Sequence, residues 1–251
     1  MLFFFLSLQA AITAAPAPAP GQEPPRYAAC MDLATGDPSQ GVADATKWRV
    51  EGGGMLARQC LGVAYANQKR WPSAAAAFEE AAHEAEAARD VRAANYWAQA
   101  GNAWLAAGEY AKARAALDAA LASGQLRGLA LGEARLDRAR TLVAAGDADG
   151  ARADLDRALQ DAKADPLAWL LSATLARRQG DLPRARADIA EALKRAADDP
   201  QVQLEAGNIA AVSGDEAGAR AAWGQVLTLA PGSPAADAAR NALAQFGASE
   251  K

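Results

Sequence analysis

Histidine is all but missing from this chain of 251 residues, which holds one, His83, and cysteine is limited to Cys30 and Cys60. Two distant cysteines and a single histidine cannot supply a zinc ligand set. Nor does any serine or cysteine have a second histidine to complete a nucleophilic set, and His83 lies beside Glu79, Glu80 and Glu84. A solvent-facing place among carboxylates is a simpler reading of that histidine than a catalytic base. Aromatic residues make up only 6 % of the chain, too few for the bulky core of a β-sandwich or an α/β sheet. Charge of one sign is lacking too: 26 basic and 30 acidic residues are mixed along the chain for a net −4. There is no basic stripe of the kind that phosphate backbones require, which excludes nucleic acid as a partner. The triplet Gly52, Gly53, Gly54 is followed by Met55 and Leu56 rather than by Lys and Ser or Thr, so it is not a phosphate-binding loop.

Long hydrophobic runs are also absent. Leu2 to Ile12 is the longest, about eleven residues against the roughly 20 that a membrane span needs. Small residues follow at Thr13, Ala14 and Ala15, so residues 1–15 read as a secretory signal-like segment, although no positive leader precedes Leu2. An uncleaved membrane tether is the alternative. Pro16, Pro18, Pro20, Pro24 and Pro25 make residues 16–25 a semi-rigid spacer. In an oxidising compartment Cys30 and Cys60 are expected to pair. Closing that loop stabilises by roughly 3 kcal/mol in the chain-entropy picture. The competing reading is two buried thiols acting as small apolar residues.

What the chain has in abundance is alanine, the best helix former, within a hydrophobic content of 51 %. That favours thin, closely packed helix layers. Residues 94–127 show the pattern most clearly. Trp97, Gly101 and Trp104 share one helix face, and Gly108, Glu109 and Tyr110 make a turn. Ala113, Leu117 and Ala120 then share a face on a second helix. Gly101 and Ala113 are small where the helices cross. These residues resemble the tetratricopeptide repeat, with its aromatic, Leu-Gly, second aromatic, and later Ala and Phe positions.

Four more units follow the same pattern. Residues 55–88 carry Leu61, Gly62, Tyr65, Ala74, Phe78 and Ala81, with Arg58 in place of the first aromatic. Residues 132–165 carry Ala139, Leu142, Gly146, Ala151, Leu155 and Ala158, with Arg135 in the aromatic place. Residues 166–199 carry Trp169, Ala173, Gly180, Ala185, Ile189 and Ala192, and residues 200–233 carry Gly207, Gly214, Ala219, Trp223 and Pro231. Gly146, Gly180 and Gly214 recur every 34 residues, whereas Lys69 to Gly108 is 39 and Gly108 to Gly146 is 38. The excess falls near Glu84 to Arg92 and Ser123 to Gly128. Residues 26–54 read as N-terminal capping helices with Asp37 or Ser39 as a cap. Residues 234–251 read as a C-terminal capping helix and tail, with Ala238, Leu243 and Phe246 as its apolar face.

The resemblance implies an all-α, right-handed α-α superhelix of about five helical hairpins between two caps. It further implies a non-enzymatic scaffold without cofactor or metal, holding a protein or peptide on its concave face. By the same resemblance Val63, Asn102, Arg140, Thr174 and Asn208 face that surface, with Gln59, Asn67, Gln99, Asp137, Arg177 and Glu205 one turn away. Amide side chains offer both donor and acceptor, which suits a peptide backbone of any sequence. The face departs from the carboxylate clamp of chaperone-binding relatives, since Gln59 and Val63 stand where lysine and asparagine are wanted. The alternative is a structural module that assembles complexes through helical edges or its convex face. A periplasmic or secreted location is expected, with membrane contact only through an uncleaved N-terminal segment. Asp147 and Asp149 suit a helix N-terminus better than a calcium loop. Trp97, Trp104, Trp169 and Trp223 occupy packing positions rather than a carbohydrate platform, while Trp48 and Trp71 fall outside them.

Overall fold

The computed structural model describes residues 24–248. The signal-like segment 1–15 and most of the proline spacer lie outside the described residues. Among those described there are thirteen α-helices and no strand. A leading hairpin, α1 (Pro25–Gly36) and α2 (Pro38–Val50), is followed by five more. These are α3 (Gly54–Asn67) with α4 (Trp71–Ala87), α5 (Ala93–Ala106) with α6 (Tyr110–Ala122), and α7 (Gly128–Ala144) with α8 (Ala148–Asp161). Then come α9 (Pro166–Arg178) with α10 (Leu182–Arg195), and α11 (Pro200–Val212) with α12 (Glu216–Leu229), before the closing α13 (Pro234–Ala248). No helix of the described residues is long and apolar enough to cross a membrane.

Each hairpin is held by a small residue on its first helix facing a large one on its second. A Cβ placed on Gly62 would come within 2.5 Å of the Phe78 ring, on Gly101 within 2.5 Å of Leu117, and on Gly207 within 2.4 Å of the Trp223 ring. Ala139 with Leu155, and Ala173 with Ile189, take those places in the middle hairpins. Each first helix also packs on the second helix of the hairpin before it, so the core runs as a series of linked clusters along a solenoid. First helices touch one another at α1 and α3, α5 and α7, α9 and α11, and α11 and α13, while neighbouring second helices make no comparable contact. The first helices therefore form the shorter, inner face.

The helix ends show a division of the chain. Gly108, Gly146, Gly180 and Gly214 end four first helices at φ of 77–82°, which glycine adopts without steric cost. Lys69 takes the same place after α3 at φ 58°. From α8 to α12 every helix is capped by an aspartate: Asp147, Asp165, Asp181, Asp199 and Asp215 each accept a backbone N–H from the first turn. The starts of α3 to α7 carry no such side-chain cap. Asp37, rather than Ser39, caps α2, accepting from the N–H groups of Ser39 and Gln40.

The two arginines in aromatic places substitute an ion pair for a ring. Arg58 pairs with Glu84 at 2.7 Å and Arg135 pairs with Asp161, each reaching the second helix of its own hairpin. Trp104 and Trp223 are buried as expected, but Trp97 and Trp169 are only half-buried. The fully buried ring is Tyr96, which packs on Ala81, Ala82 and Ala85 of α4. Both reach α4, but one residue is a 100° rotation, so Tyr96 packs on its alanines while Trp97, lying over His83 edge to face at 4.8 Å, stays half-buried. His83 itself is exposed and sits 3.4 Å from Glu86. On α13 the buried face is Ala235, Ala236 and Ala239, with Leu243 and Phe246 packed beside it; Ala238 points to solvent, contrary to expectation. Cys30 and Cys60 are joined in a disulfide, fully buried between α1 and α3 among Ala34, Ala45 and Leu61.

Two predictions test this packing. Gly207→Ala drives a methyl into the Trp223 ring and should lower stability by about 1–3 kcal/mol in a urea titration. Gly224→Ala, on the same hairpin but with nothing within 4 Å of its added Cβ, should raise it by roughly 0.5–1 kcal/mol. Equal effects would contradict the close approach. Alkylation of the unreduced chain should add no label to its intact mass, and removing both cysteines should cost roughly 3 kcal/mol. Two labels on that material would reject the bridge.

Candidate functional site: a groove on the inner face

The groove is built by three consecutive first helices and closed at one end by a fourth. Its floor and walls come from α3, α5 and α7, with the start of α4 and the Asp165 to Leu167 corner of α9 at its ends, enclosing about 540 Å³. Asn95, Gln99 and Asn102 form a stripe along α5, each a helical turn from the next. Asn67, Gln99, Asn102, Asp137 and Arg140, five of the ten polar positions expected on this surface, line it together. Val63 joins them. Arg140 also lines an adjoining cavity of about 180 Å³ with Thr174, Leu171 and Val143.

Hydrogen bonds decide what remains free for a ligand. Asn102 Nδ2 donates to Asp137 Oδ2 at 2.7 Å, and Arg140 donates to Asp137 Oδ1 at 3.1 Å. Asn67 Nδ2 is spent on the carbonyl of Ala34 at 2.9 Å, tying α3 to the leading hairpin. Gln59 links Tyr27 to Gln99, accepting from the phenol at 2.8 Å and donating to Gln99 Oε1 at 3.3 Å. Left over among the described residues are the whole Asn95 amide, the Gln99 NH2 and the Asn102 carbonyl, donors and acceptors set about one helical turn apart along α5. The Trp71 indole N–H makes no hydrogen bond among the described residues either, and its ring lines the groove's apolar end with Val63 and Phe78.

The remaining expected positions form a second, self-contained cluster. Arg177 grips Glu205 through two bonds of 2.6 and 3.2 Å. Asn208 Nδ2 donates to Glu205 at 3.3 Å, and the Asn208 carbonyl accepts from the Trp223 indole at 3.2 Å. Their polar atoms are largely spent on one another, which ties α9, α11 and α12 together. Sequence reasoning did not place Trp71, Asn95, Glu133, Asp165 or Leu167 in the groove. Stepping the expected stripe one turn back from Gln99 and Asp137 reaches Asn95 and Glu133, so those two were within reach. The others stand at turns and helix starts, where only the assembled hairpins bring them to the groove.

Glu133 has no hydrogen bond or ion pair among the described residues. Its carboxyl is held above the usual range, first by partial burial and then by the nearby charges of Asp165 and Asp137.

The family model of the tetratricopeptide repeat matches residues 136–200 and again residues 170–234, two registers one repeat apart. No curated protein matches the chain. Among solved structures, PilW, reported as a widely conserved type IV pilus biogenesis factor, superposes with a TM-score of 0.71 at 20 % identity, covering 84 % of this chain and 94 % of PilW. PilF of Pseudomonas aeruginosa gives 0.68 at 16 % identity, covering 88 % and 97 %. YrrB, reported as a protein with an unusual peptide-binding site, gives 0.56 at 17 % identity, covering 78 % and 96 %. At these identities the likeness establishes the fold.

The Glu133 carboxyl gives a pH prediction. A folded pKa above the unfolded value means that ionising the group disfavours the native state. The penalty is absent below the ordinary carboxylate pKa, grows as pH rises through the raised folded value, and is full at neutrality. Glu133→Gln should therefore raise the melting temperature at pH 7 and leave it unchanged near pH 3.5. A melting temperature raised equally at both pH values would contradict the assignment.

Proposed function

We propose that this chain, whose C-terminal half matches the tetratricopeptide repeat model and whose fold matches PilW and PilF, is a non-enzymatic scaffold that binds a protein or peptide along the groove of α3, α5 and α7. The observation that carries this reading is the row of amide groups left wholly free at Asn95 and half free at Gln99 and Asn102, beside a Trp71 indole with no hydrogen bond among the described residues. Such a row exchanges hydrogen bonds with an extended backbone, while Trp71, Val63 and Phe78 offer an apolar anchor. Likeness in fold to a protein reported with a peptide-binding site supports it in kind. Asn67, Asp137, Arg140, Thr174, Arg177, Glu205, Asn208 and Gln59 complete the proposed inner surface. Of these Asp137 and Arg140 contact the ligand, and the others shape the helices that hold it.

The compartment we propose is the cell envelope, periplasmic or secreted. Support comes from the buried Cys30–Cys60 disulfide, which an oxidising compartment sustains, and from the apolar run at Leu2 to Ile12. The fold it shares with a type IV pilus biogenesis factor agrees with that setting.

A second reading rests on one specific observation. Val50, Val91, Leu129 and Leu167 are exposed, and each lies where one hairpin hands over to the next, so apolar side chains recur along one edge. An assembly partner could dock there instead.

Photocrosslinking separates the two. A benzoylphenylalanine at position 102 should give a discrete adduct in envelope extracts, and the same residue at position 91 should give none. Adducts from position 91 alone would move the function to the edge.

A further inference from the structure

The ionisable residues lining the groove are Glu133, Asp137, Asp165 and Arg140. Arg140 and Asp137 answer each other at 3.1 Å, and Asp137 takes a further bond from Asn102. Asp165 uses one oxygen to cap α9, accepting from the Leu167 N–H at 2.9 Å, which leaves its charge unmatched by any cation. Glu133 has no partner at all among the described residues. Two negative charges therefore face the groove with no counter-charge.

Elsewhere on the chain, several carboxylates that face a neighbouring helix have arginines. Glu84 has Arg58, Asp161 has Arg135, Asp154 has Arg138 and Glu205 has Arg177. A metal ion does not explain the arrangement, because no three carboxylates among the described residues converge closely enough to hold one. An elongated organic cation does. Ala130 and the exposed Leu167 flank these acids and can cover the methylene stem of a long basic side chain.

We propose that the groove selects extended peptides carrying a lysine or arginine, whose cationic head sits between Glu133 and Asp165 while the amides of α5 hold the backbone. This rests on the groove being the peptide site. The carboxylates supply sequence preference, and the amide row supplies affinity independent of sequence. A guanidinium can bridge both acids through paired hydrogen bonds, so arginine should be preferred over lysine.

The test pans a random dodecapeptide phage library against the full chain in three forms: unaltered, Glu133→Gln with Asp165→Asn, and Asn102→Trp. Asparagine retains the helix cap at 165, and circular dichroism checks that each variant is folded. The unaltered chain should enrich Lys and Arg severalfold over the input library. The charge variant should lose that enrichment, and the best selected peptide should bind it about tenfold more weakly. Asn102→Trp, which fills the groove, should retain neither. Peptides lost with Asn102→Trp but showing no basic preference, or an acidic one, would overturn the charge assignment and leave the groove standing. Binding that is indifferent to both sets of changes, or no enrichment from any form, would overturn both.

Discussion

The structure depends on how closely two helices can approach within a hairpin. Where Gly62, Gly101 and Gly207 stand, the facing Phe78, Leu117 and Trp223 lie against the helix backbone itself. That contact fixes the crossing of each pair, and the crossing fixes how the next hairpin stacks. Interiors packed to this density do not absorb an extra methyl without displacement. The inner face follows from it. First helices drawn close to one another, at α5 and α7 for example, leave their outward stripes converging on a shared hollow.

Much of this was legible because small and large residues recur at fixed places, and because glycine marks the turns. The 34-residue spacing of Gly146, Gly180 and Gly214 predicts three turns that the structure contains, each with the glycine in the left-handed region. The disulfide was legible from two cysteines and the segment before them. Which ring fills a slot was less legible: Tyr96 and Trp97 are adjacent, both suit a helix face, and only the position of α4 decides that Tyr96 is the buried one. Ala238 was misplaced for a related reason. In α13 alanine stands on every side, so the stripe has to be found from Ala235, Ala239, Leu243 and Phe246. For the groove, helical spacing alone reaches Asn95 and Glu133. Trp71, Asp165 and Leu167 come from turns and helix starts, whose direction no periodicity encodes.

The chain is uneven in a way that bears on function. Its C-terminal half is regular, with aspartate caps, glycine turns and internally matched polar groups such as Arg177 with Glu205. The family model matches only there, from residue 136 onward. The groove lies mainly in the other half, where Lys69 replaces a turn glycine, α4 and α7 are lengthened, and a loop at 123–127 is inserted. Local rules are broken where unmatched amides and carboxylates collect. That coincidence is what a binding surface on a stable scaffold leads one to expect. The disulfide anchors the same half, joining α1 to α3, a helix that lines the groove.

The most direct measurement is a nuclear magnetic resonance titration that follows side-chain amides and indoles as a selected peptide is added. The account predicts shifts at Asn95, Gln99 and Asn102 and at the Trp71 indole, with Asn241, Gln225 and the Trp48 indole unmoved. Shifts confined to those last three, with the α5 amides silent, would contradict it.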